Sequence, residues 1–339
     1  DNLPFVDILP TNSISSVSKE SQKHMKIVVT GAVGHIGSHL SRKVPDLFGD
    51  DAEVIMIDDM TTQRYPSLFD LPEGARYRFV EADVTAEESD LAGLFKGADV
   101  VVHLAAITDA ARSFERKDLV ERVNFAATEN VAKACAEAGV PMIFPSSTSV
   151  YGTQEDKVDE DSGPSSLNPQ SPYAETKLRE EEYLADIADE IGLSYVTCRL
   201  GTIFGPSPGM RFHTAVNRFC WQAIMGEPLT VWTTALDQMR PYLSLEDVAR
   251  AFAHITKENA FDNRVYNVLT ANATVRDVVD TIRTHIPDLE VKLVDNKIMN
   301  QLSYEVGNDR FKNLGFTFEG SIAAGIGKTM TQLRRANSA

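Results

Sequence analysis

The chain has 339 residues, of which 43% are hydrophobic, and a formal net charge of −16. This length and content suffice for a large core in two lobes, and the acidic balance without a basic stripe argues against nucleic acid as a partner. The absence of any apolar run of about 18 residues predicts no membrane span. The three cysteines lack metal-ligand or CxxC spacing, which predicts no metal site and favours a reducing, cytoplasmic location.

Residues 1–24 are rich in Ser, Asn and Pro and differ from the rest of the chain. They lack the charged and apolar regions of a signal peptide. Met25 directly precedes the first predicted strand and looks like a natural start. We expect residues 1–24 to be an N-terminal arm or an added segment outside the main fold.

A β-branched run at residues 26–30 is typical of a buried parallel strand. Gly31, Gly34 and Gly37 follow, and a helix is predicted from about Ser38. These glycines permit a tight turn, a close backbone approach to a pyrophosphate and close packing of helix on strand. The helix N-terminus offers N–H groups and partial positive charge to phosphates. The spacing G-x-x-G-x-x-G thus indicates a dinucleotide loop, although a plain tight turn is the alternative.

A second predicted strand, residues 53–57, ends at Asp58, about twenty residues past the last glycine. A carboxylate at this place can accept both hydroxyls of an adenosine ribose and would repel a 2′-phosphate. Asp58, followed by Asp59, therefore favours NAD over NADP. Arg64 is the nearest base and leaves NADP open, and a solvated loop carboxylate is the alternative interpretation of Asp58.

Two further strands are predicted at residues 79–84 and 99–106. Asp83 would meet the adenine amino group, beside Val84. In the later strand, His103 lies in an apolar run, and we interpret it as a packed core histidine rather than a base. Cofactors lie across the C-terminal strand ends of open α/β sheets. The residues expected to make room there are Leu104, Ala105 and Ala106.

A fifth predicted strand, residues 141–144, runs into a serine-rich loop that contains Ser147. Tyr173 and Lys177 follow at helical spacing i and i+4, which puts them on one face. A phenol has a reference pKa of about 10, and a nearby ammonium and a positive nicotinamide ring would lower it. Ser147 could then hold a substrate hydroxyl while Lys177 reaches the nicotinamide ribose. An amphipathic helix that carries Tyr and Lys by chance is the alternative, but the combination with the glycine loop favours a catalytic pair.

These segments resemble the extended short-chain dehydrogenase/reductase family, in the NAD-dependent epimerase/dehydratase branch that acts on nucleotide sugars. The resemblance covers about residues 25–325, and one departure is His35, where the family usually has Phe or Tyr. The matching positions are the glycine loop with His35 and Ile36, Asp58, Asp83, His103 to Ala106, Asn124, Ser146 to Gly152, Tyr173, Lys177, Arg199, Gly205, Pro206, Arg240, Asp247 and Val248. In the family the asparagine that matches Asn124 is structural and ties the active-site helix to a neighbouring strand.

The resemblance implies an α/β fold: a Rossmann-type doubly wound parallel sheet with a smaller, interleaved C-terminal substrate lobe. We expect the NAD-binding domain at residues 25–202 plus about 243–260, and the lobe at residues 203–242 and 261–339. The helices near residues 114–138 and 172–191 would pair across a homodimer axis as a four-helix bundle. The alternative is that they only cover the sheet of one monomer.

The loop Ser147-Thr148-Ser149 bears on the reaction. In the family's 4,6-dehydratases this loop reads Thr-Asp-Glu, and in its UDP-glucuronate decarboxylases Thr-Ser-Glu. Here it carries no carboxylate, so the resemblance implies a 4-epimerase. Such an enzyme oxidises one carbinol, lets the 4-keto sugar rotate and returns the hydride to the other face. Tyr173 would be base and acid, Lys177 would orient the ribose, and Ser147 would hold the hydroxyl with Thr148 as helper.

The substrate implied by the resemblance is a nucleotide-diphosphate sugar. Arg240 matches the arginine that grips the diphosphate, and a guanidinium fork suits two phosphate oxygens. A surface arginine is the alternative. Thr202 stands where the family usually has Asn, which puts the usual diphosphate contact in doubt. Arg211 adds a second basic residue that could compensate or bind a sugar carboxylate, and Thr108 and Ser149 complete the expected substrate contacts.

Two other functions stay open at this point. The same residues would serve a keto-sugar reductase or dehydrogenase with an exchangeable NAD(P) cofactor. A non-catalytic NAD(H)-sensing protein is a further alternative. Proteins of that kind tend to lose Tyr or Lys from the catalytic pair, whereas both are present here.

Overall fold

The computed structural model describes residues 24–86, 88–108, 110, 112–295 and 303–336. The predictions for residues 1–23 lie outside these ranges. Within the described residues, no helix is long and apolar enough to cross a membrane.

The strands alternate with helices along the first half of the chain. The strands are β1 (Lys26–Thr30), β2 (Ala52–Asp58), β3 (Ala75–Glu81), β4 (Val100–His103), β5 (Met142–Ser147), β6 (Tyr195–Leu200), β7 (Thr202–Phe204), β8 (Leu229–Trp232), β9 (Met239–Ser244), β10 (Val265–Val268), β11 (Ala271–Thr274) and β12 (Val291–Val294). The helices are α1 (His35–Phe48), α2 (Leu91–Phe95), α3 (Lys117–Ala138), α4 (Pro172–Ile191), α5 (Ala215–Ile224), α6 (Leu245–Lys257), α7 (Val275–Arg283), α8 (Asp309–Lys312) and α9 (Ile322–Arg334).

The main sheet has seven strands in the order β10-β6-β5-β4-β1-β2-β3, and its neighbours pair in parallel. Alternate residues of β1 face opposite sides. Ile27 and Val29 belong to a core cluster with residues of α1 and α6, whereas Val28 belongs to a cluster with residues of α3 and α4. The predicted Rossmann-type doubly wound sheet is thereby confirmed. The strand order reverses between β1 and β4, where such sheets bind ligands.

The smaller lobe has its own core. A three-stranded sheet in the order β11-β9-β7 and a two-stranded sheet of β12 and β8 pack with α5, α7 and α9. The chain enters this lobe after β6 and returns to the main core through α6. It then enters the lobe a second time. The two lobes therefore interleave.

One predicted boundary of the lobe is wrong. The sequence predicts residues 261–339 to belong to the lobe, but β10 pairs with β6 in the main sheet, from Val265 opposite Thr197 to Val268 opposite Leu200. Phe311 of α8 packs on Tyr266 of β10. The physical reason is that β6 would otherwise present an unpaired edge, which β10 covers.

Several element ends also differ from expectation, because pairing decides where a strand stops. β3 ends at Glu81, opposite Asp58 at the end of β2, so Asp83 follows the strand instead of ending it. β4 ends at His103, opposite Thr30. β5 is longer than predicted, since Ser147 still pairs with Leu200 of β6. Helix α1 begins at residue 35 rather than 38.

Candidate active site

A cavity of about 410 Å³ lies between the C-terminal ends of the main-sheet strands and the smaller lobe. Most predicted site residues line it, although they are far apart in sequence. These are Gly31, Gly34, His35, Ile36, Gly37, Leu104, Ala106, Thr108, Ser147, Thr148, Ser149, Tyr173, Lys177, Thr202, Arg211 and Arg240. The predicted site residues outside the described lining are Asp58, Asp59, Asp83, Val84, Ala105 and Asn124.

The glycine loop leaves no room for side chains at two of its positions. Gly31 has a φ of +64°, and a Cβ there would lie 2.6 Å from the carbonyl carbon of Leu104. A Cβ on Gly37 would lie 2.5 Å from the carbonyl oxygen of Gly31. Gly34 is the N-cap of α1 and has no side chain to accept from the first N–H groups of the helix. The loop and helix end therefore form a cradle that fits a pyrophosphate.

Asp58 braces the glycine loop. Its Oδ2 accepts a hydrogen bond from the Val33 N–H at 3.1 Å, and its Oδ1 accepts one from the Met60 N–H at 3.0 Å. Burial raises the pKa of this carboxyl. Its two oxygens each retain lone pairs, so an additional contact with a ribose hydroxyl stays a prediction.

Asp59 and Asp83 instead shape local turns. Asp59 accepts from the N–H and hydroxyl of Thr61, and Asp83 accepts from the N–H and hydroxyl of Thr85. Aspartate commonly bonds to the backbone two residues ahead in this way. Val84 packs in the core. Their predicted contacts with the adenosine stay predictions.

Asn124 clamps the loop after β4 to helix α3. Its Nδ2 donates to the carbonyl of Ile107 at 3.0 Å, and its Oδ1 accepts from the N–H of the same residue at 2.8 Å. At the start of this loop, the Ala105 N–H donates to Thr30 Oγ1 at 3.2 Å. The segment that lines the cavity next to the glycine loop is thus held from both sides.

Ser147 and Tyr173 meet in the cavity from different elements. Ser147 ends β5, and Tyr173 lies in the first turn of α4, which begins where Ser171 Oγ accepts from the Ala174 N–H at 3.2 Å. Both residues line the cavity, and an interaction with the Ser147 side chain acts to lower the pKa of Tyr173. Ser147 Oγ also accepts from the Ser149 N–H at 3.2 Å and lies 2.8 Å from Ser149 Oγ. The serine loop therefore places hydroxyl groups in the same cavity as the phenol.

The pKa of Tyr173 differs from the sequence expectation. Burial raises it, and the nearby carboxylate of Glu180 raises it further. The charge of Arg211 and the hydrogen bond with Ser147 act in the opposite direction but are weaker. We expected Lys177 to lower this pKa. The Lys177 ammonium lies 3.2 Å from Glu180 Oε2, so its charge is largely balanced.

Lys177 is buried, and its Nζ lies 4.6 Å from the ring centroid of Phe144. Glu180 was missed by the sequence reasoning. Its position three residues after Lys177 indicates the contact, because residues three apart on a helix are neighbours. Glu180 also accepts a hydrogen bond from Thr128 Oγ1.

Thr148 turns its hydroxyl toward the neighbouring strand, where Oγ1 donates to the Leu200 carbonyl at 3.2 Å. The hydroxyl of Tyr304 lies 3.4 Å from the same oxygen of Thr148. The role of Thr148 as helper to Ser147 stays a prediction. Tyr304 lines the cavity but was missed, because no local motif marks a residue that far along the chain.

His35 is more than a ring packed beside the turn. Its Nδ1 lies 2.8 Å from Ser207 Oγ and its Nε2 lies 3.2 Å from Asn217 Nδ2. Burial, with a smaller effect from the charge of Arg211, lowers the pKa of His35 to about 3. The ring is therefore neutral at ordinary pH. His103 is likewise buried, and burial followed by the charge of Lys177 lowers its pKa to about 3.

Basic side chains line the lobe side of the cavity. Arg211 is hydrogen-bonded to Thr108 Oγ1, and Arg218, which was missed, donates to the Thr230 carbonyl at 3.0 Å. Arg240 Nη2 donates to Gln238 Oε1 at 3.0 Å. The described residues that line the cavity include no aspartate or glutamate. In a protein of net charge −16, this local excess of cations suits an anionic ligand.

A doubly wound sheet with a glycine loop at its switch point and a Tyr–Lys pair beside it defines a dinucleotide-dependent enzyme of the short-chain type. Residues 27–268 match the model of the NAD dependent epimerase/dehydratase family. This match covers most of the chain, and the chain belongs to that family.

Known proteins agree with this assignment. An uncharacterized UDP-glucose epimerase, YtcB, of Bacillus subtilis (strain 168) is 31% identical over 268 residues, which cover 76% of this chain and 81% of that protein. The UDP-glucose 4-epimerase of Mycolicibacterium smegmatis is 29% identical over 319 residues, or 91% of this chain and 99% of that one. The UDP-glucose 4-epimerase of Thermus thermophilus, crystallised with NAD, has a TM-score of 0.78 at 25% identity, with 92% of this chain and 100% of that chain covered. The family is NAD-dependent, which confirms the prediction of NAD as the cofactor.

Proposed function

We propose that the protein is a nucleotide-sugar 4-epimerase that keeps NAD bound through turnover. The observation that carries this proposal is the placement of Ser147, Tyr173 and Lys177 together in one cavity whose described lining has no carboxylate. The group of Ser147, Tyr173 and Lys177 suits the oxidation of a carbinol. The family's dehydratases use carboxyl groups for acid–base chemistry, and the described lining has none.

The proposed chemistry is a proton transfer coupled to a hydride transfer. NAD, when bound, accepts the hydride and returns it. Ser147 donates a hydrogen bond to the C4 oxygen of the sugar, and the Tyr173 oxygen takes the C4 hydroxyl proton as the C4–H bond breaks. The resulting 4-keto sugar rotates in the cavity. Tyr173 then returns its proton to the C4 oxygen while the hydride is delivered to the opposite face.

The residues that would hold the cofactor follow from the cradle at the strand ends. The first-turn N–H groups of α1, at His35, Ile36 and Gly37, would bind the pyrophosphate. Asp58 would accept from the adenosine ribose, with Asp59 beside it. Lys177 would donate to the nicotinamide ribose. The remaining proposed cofactor contacts are Gly31, Gly34, Asp83, Val84, Leu104, Ala105 and Ala106, and Asn124 would support the site by holding the loop after β4.

The proposed substrate contacts lie on the side of the cavity that carries the arginines. Arg240 would bind the nucleotide diphosphate with its planar fork, because bidentate geometry matches two phosphate oxygens. Arg211, held by Thr108, would contact the sugar or its phosphate. Thr202 and Ser149 would donate hydrogen bonds to the sugar. The relatives are named for UDP-glucose, and UDP-glucose is therefore the substrate to test first.

We also propose a homodimer through α3 and α4, because the resemblance to the family implies one. The two helices pack on each other within the chain, through the rings of Phe125 and Tyr183 at 5.1 Å and the ion pair of Arg179 with Glu121. A two-helix layer of this kind forms a four-helix bundle when it meets a second copy. Sedimentation equilibrium would give the mass, and a monomer at working concentration would contradict the proposal.

The first test is to denature the purified protein and identify any released dinucleotide. Near-stoichiometric NAD is expected, since an epimerase recycles its cofactor in place. UDP-glucose is then incubated with the protein, and formation of its 4-epimer is followed. Tyr173→Phe should abolish turnover and retain NAD. Net consumption of added NADH or NADPH would favour a reductase instead, and near-normal turnover of the Tyr173→Phe variant would contradict the assignment of the base.

A further inference from the structure

Glu180 is a buried carboxylate that the reaction proposed above does not use. Its side chain is 1% exposed and lies one helical turn beyond Lys177, itself 3% exposed. We propose that Glu180 is a positioning residue: it binds the Lys177 ammonium and offsets its charge, so that Tyr173 keeps its proton until a second positive charge enters the site. This inference rests on the proposed function for the role of Tyr173.

The contact between the two charged groups is direct. Lys177 Nζ lies 3.2 Å from Glu180 Oε2 and 3.4 Å from Oε1. Both groups are removed from water, where opposite charges attract more strongly than at a surface. Loss of either partner would leave a buried charge without compensation. We therefore expect the ion pair to remain formed.

A directed chain of hydrogen bonds ends on the same carboxylate. Thr128 Oγ1 donates its only proton to Glu180 Oε1, so the contact of 3.3 Å between Thr128 and His103 requires His103 Nε2 to be the donor. His103 Nδ1 then accepts from Thr30 Oγ1 at 2.9 Å. This assignment of the tautomer follows from the network. Glu180 therefore receives donors from both α3 and α4.

The charged and titratable groups around the pair come from several elements. Tyr173 lies on α4 with the pair, His103 reaches it from β4 in its neutral form, and Arg211 faces Tyr173 from the lobe. The apolar ring of Phe144 covers Lys177 from β5. The carboxylate of Glu180 therefore cancels a charge that would otherwise act on the phenol. The positive ring of the oxidised cofactor would be the second charge that releases the Tyr173 proton.

The test follows the phenolate absorbance of Tyr173 in NAD-loaded protein as the pH is raised. The Tyr173→Phe variant, loaded in the same way, is subtracted so that one phenol remains. Glu180→Gln keeps the shape of the side chain but removes its charge, and it should lower the midpoint by about one pH unit or more. Glu175→Gln is the control, because Glu175 is exposed on the same helix and pairs with Lys117 at 3.3 Å. An unchanged midpoint in Glu180→Gln, or an equal shift in Glu175→Gln, would overturn the proposal.

A second measurement covers the case in which Glu180→Gln does not fold. Lys177→Met leaves the Glu180 charge buried without its ion pair, so the thermal midpoint should fall. Addition of Glu180→Gln to the Lys177→Met variant should recover much of the lost thermal midpoint, because the unpaired buried charge is removed. A double variant no more stable than Lys177→Met alone would contradict the pairing. A midpoint shift without epimerase turnover would refute the proposed function alone, and turnover without a shift would refute this inference alone.

Discussion

His35 Nε2 accepts a hydrogen bond from the side-chain amide of Asn217 at 3.2 Å, across the boundary between the glycine loop and the smaller lobe. The other ring nitrogen pairs with Ser207 Oγ at 2.8 Å. The same Asn217 amide donates to the Arg211 carbonyl at 3.1 Å, and its oxygen accepts from the Gly205 N–H at 3.2 Å. One imidazole thus connects the proposed pyrophosphate cradle to the segment that carries the proposed substrate arginine.

His35→Phe should weaken this connection. The substitution keeps a planar aromatic ring, six-membered instead of five-membered, but both hydrogen bonds are lost, so the free energy of unfolding should fall by about 1–3 kcal/mol. The KM for the nucleotide sugar should rise more than the Kd for NAD, because the bonds reach the lobe. Urea denaturation and steady-state kinetics measure these effects. His285→Phe is an exposed control that should stay within about 0.5 kcal/mol, and equal losses in both variants would contradict the prediction.

Stability should fall in mild acid. Burial is the main reason that the pKa values of His35, His39 and His103 are lowered to about 3, 4 and 3, from 6.5 in the unfolded chain. Between these limits the unfolded chain binds more protons than the folded one. The stabilisation is therefore complete above pH 6.5 and is lost as the pH falls toward the folded values.

The expected loss is about 1.4 kcal/mol per pH unit for each histidine that stays neutral in the folded protein. Urea midpoints at pH 7 and pH 5 measure it. His35→Phe should reduce the slope of the free energy of unfolding against pH by about 1.4 kcal/mol per pH unit, which corresponds to one proton. A stability that is flat over this range would show that these rings are not held neutral.

Gly37→Ala should disrupt the cradle. The added Cβ would lie 2.5 Å from the Gly31 oxygen and 2.8 Å from the Ala32 Cα, both of which are backbone atoms that cannot move aside cheaply. We expect a loss of NAD binding together with a lower thermal midpoint. Gly327→Ala is the matched control within helix α9, since the nearest atom, in the His285 ring, is 3.8 Å away. That variant should be stabilised by about 0.5–1 kcal/mol, because alanine is the better helix former.

Asp58→Asn should relax the choice between NAD and NADP. The substitution removes the charge that would repel a 2′-phosphate and leaves Arg64 nearby, whose pKa is lowered by burial and raised in part by Asp58. We expect the Kd for NAD to rise about tenfold or more, as a charged hydrogen bond is lost, and the Kd for NADP to fall relative to it. Asp288→Asn is the control, because Asp288 is exposed in the smaller lobe and lies outside the described lining of the cavity. A ratio of the two constants that does not change would contradict the role of Asp58.

Local patterns in the sequence were sufficient for the nucleotide half of the fold. The β-branched run of β1, the spaced glycines and the helix after them specify a strand, a turn and a helix through short-range sterics alone. The spacing of Tyr173 and Lys177 placed both on one helix face for the same reason. Strand ends were less accurate, because β3, β4 and β5 stop where their partner strands stop.

What only the tertiary structure decided is the surroundings of these residues. The ammonium of Lys177 faces Glu180 instead of acting freely on Tyr173, β10 returns to the main sheet, and Tyr304 enters the cavity from near the end of the described chain. Each of these depends on contacts between segments far apart in sequence, and a charge or a strand edge is balanced only by what the fold brings beside it. The sequence by itself determined the type of element and the kind of chemistry, whereas long-range packing determined the burial, the charge balance and hence the protonation state of the site.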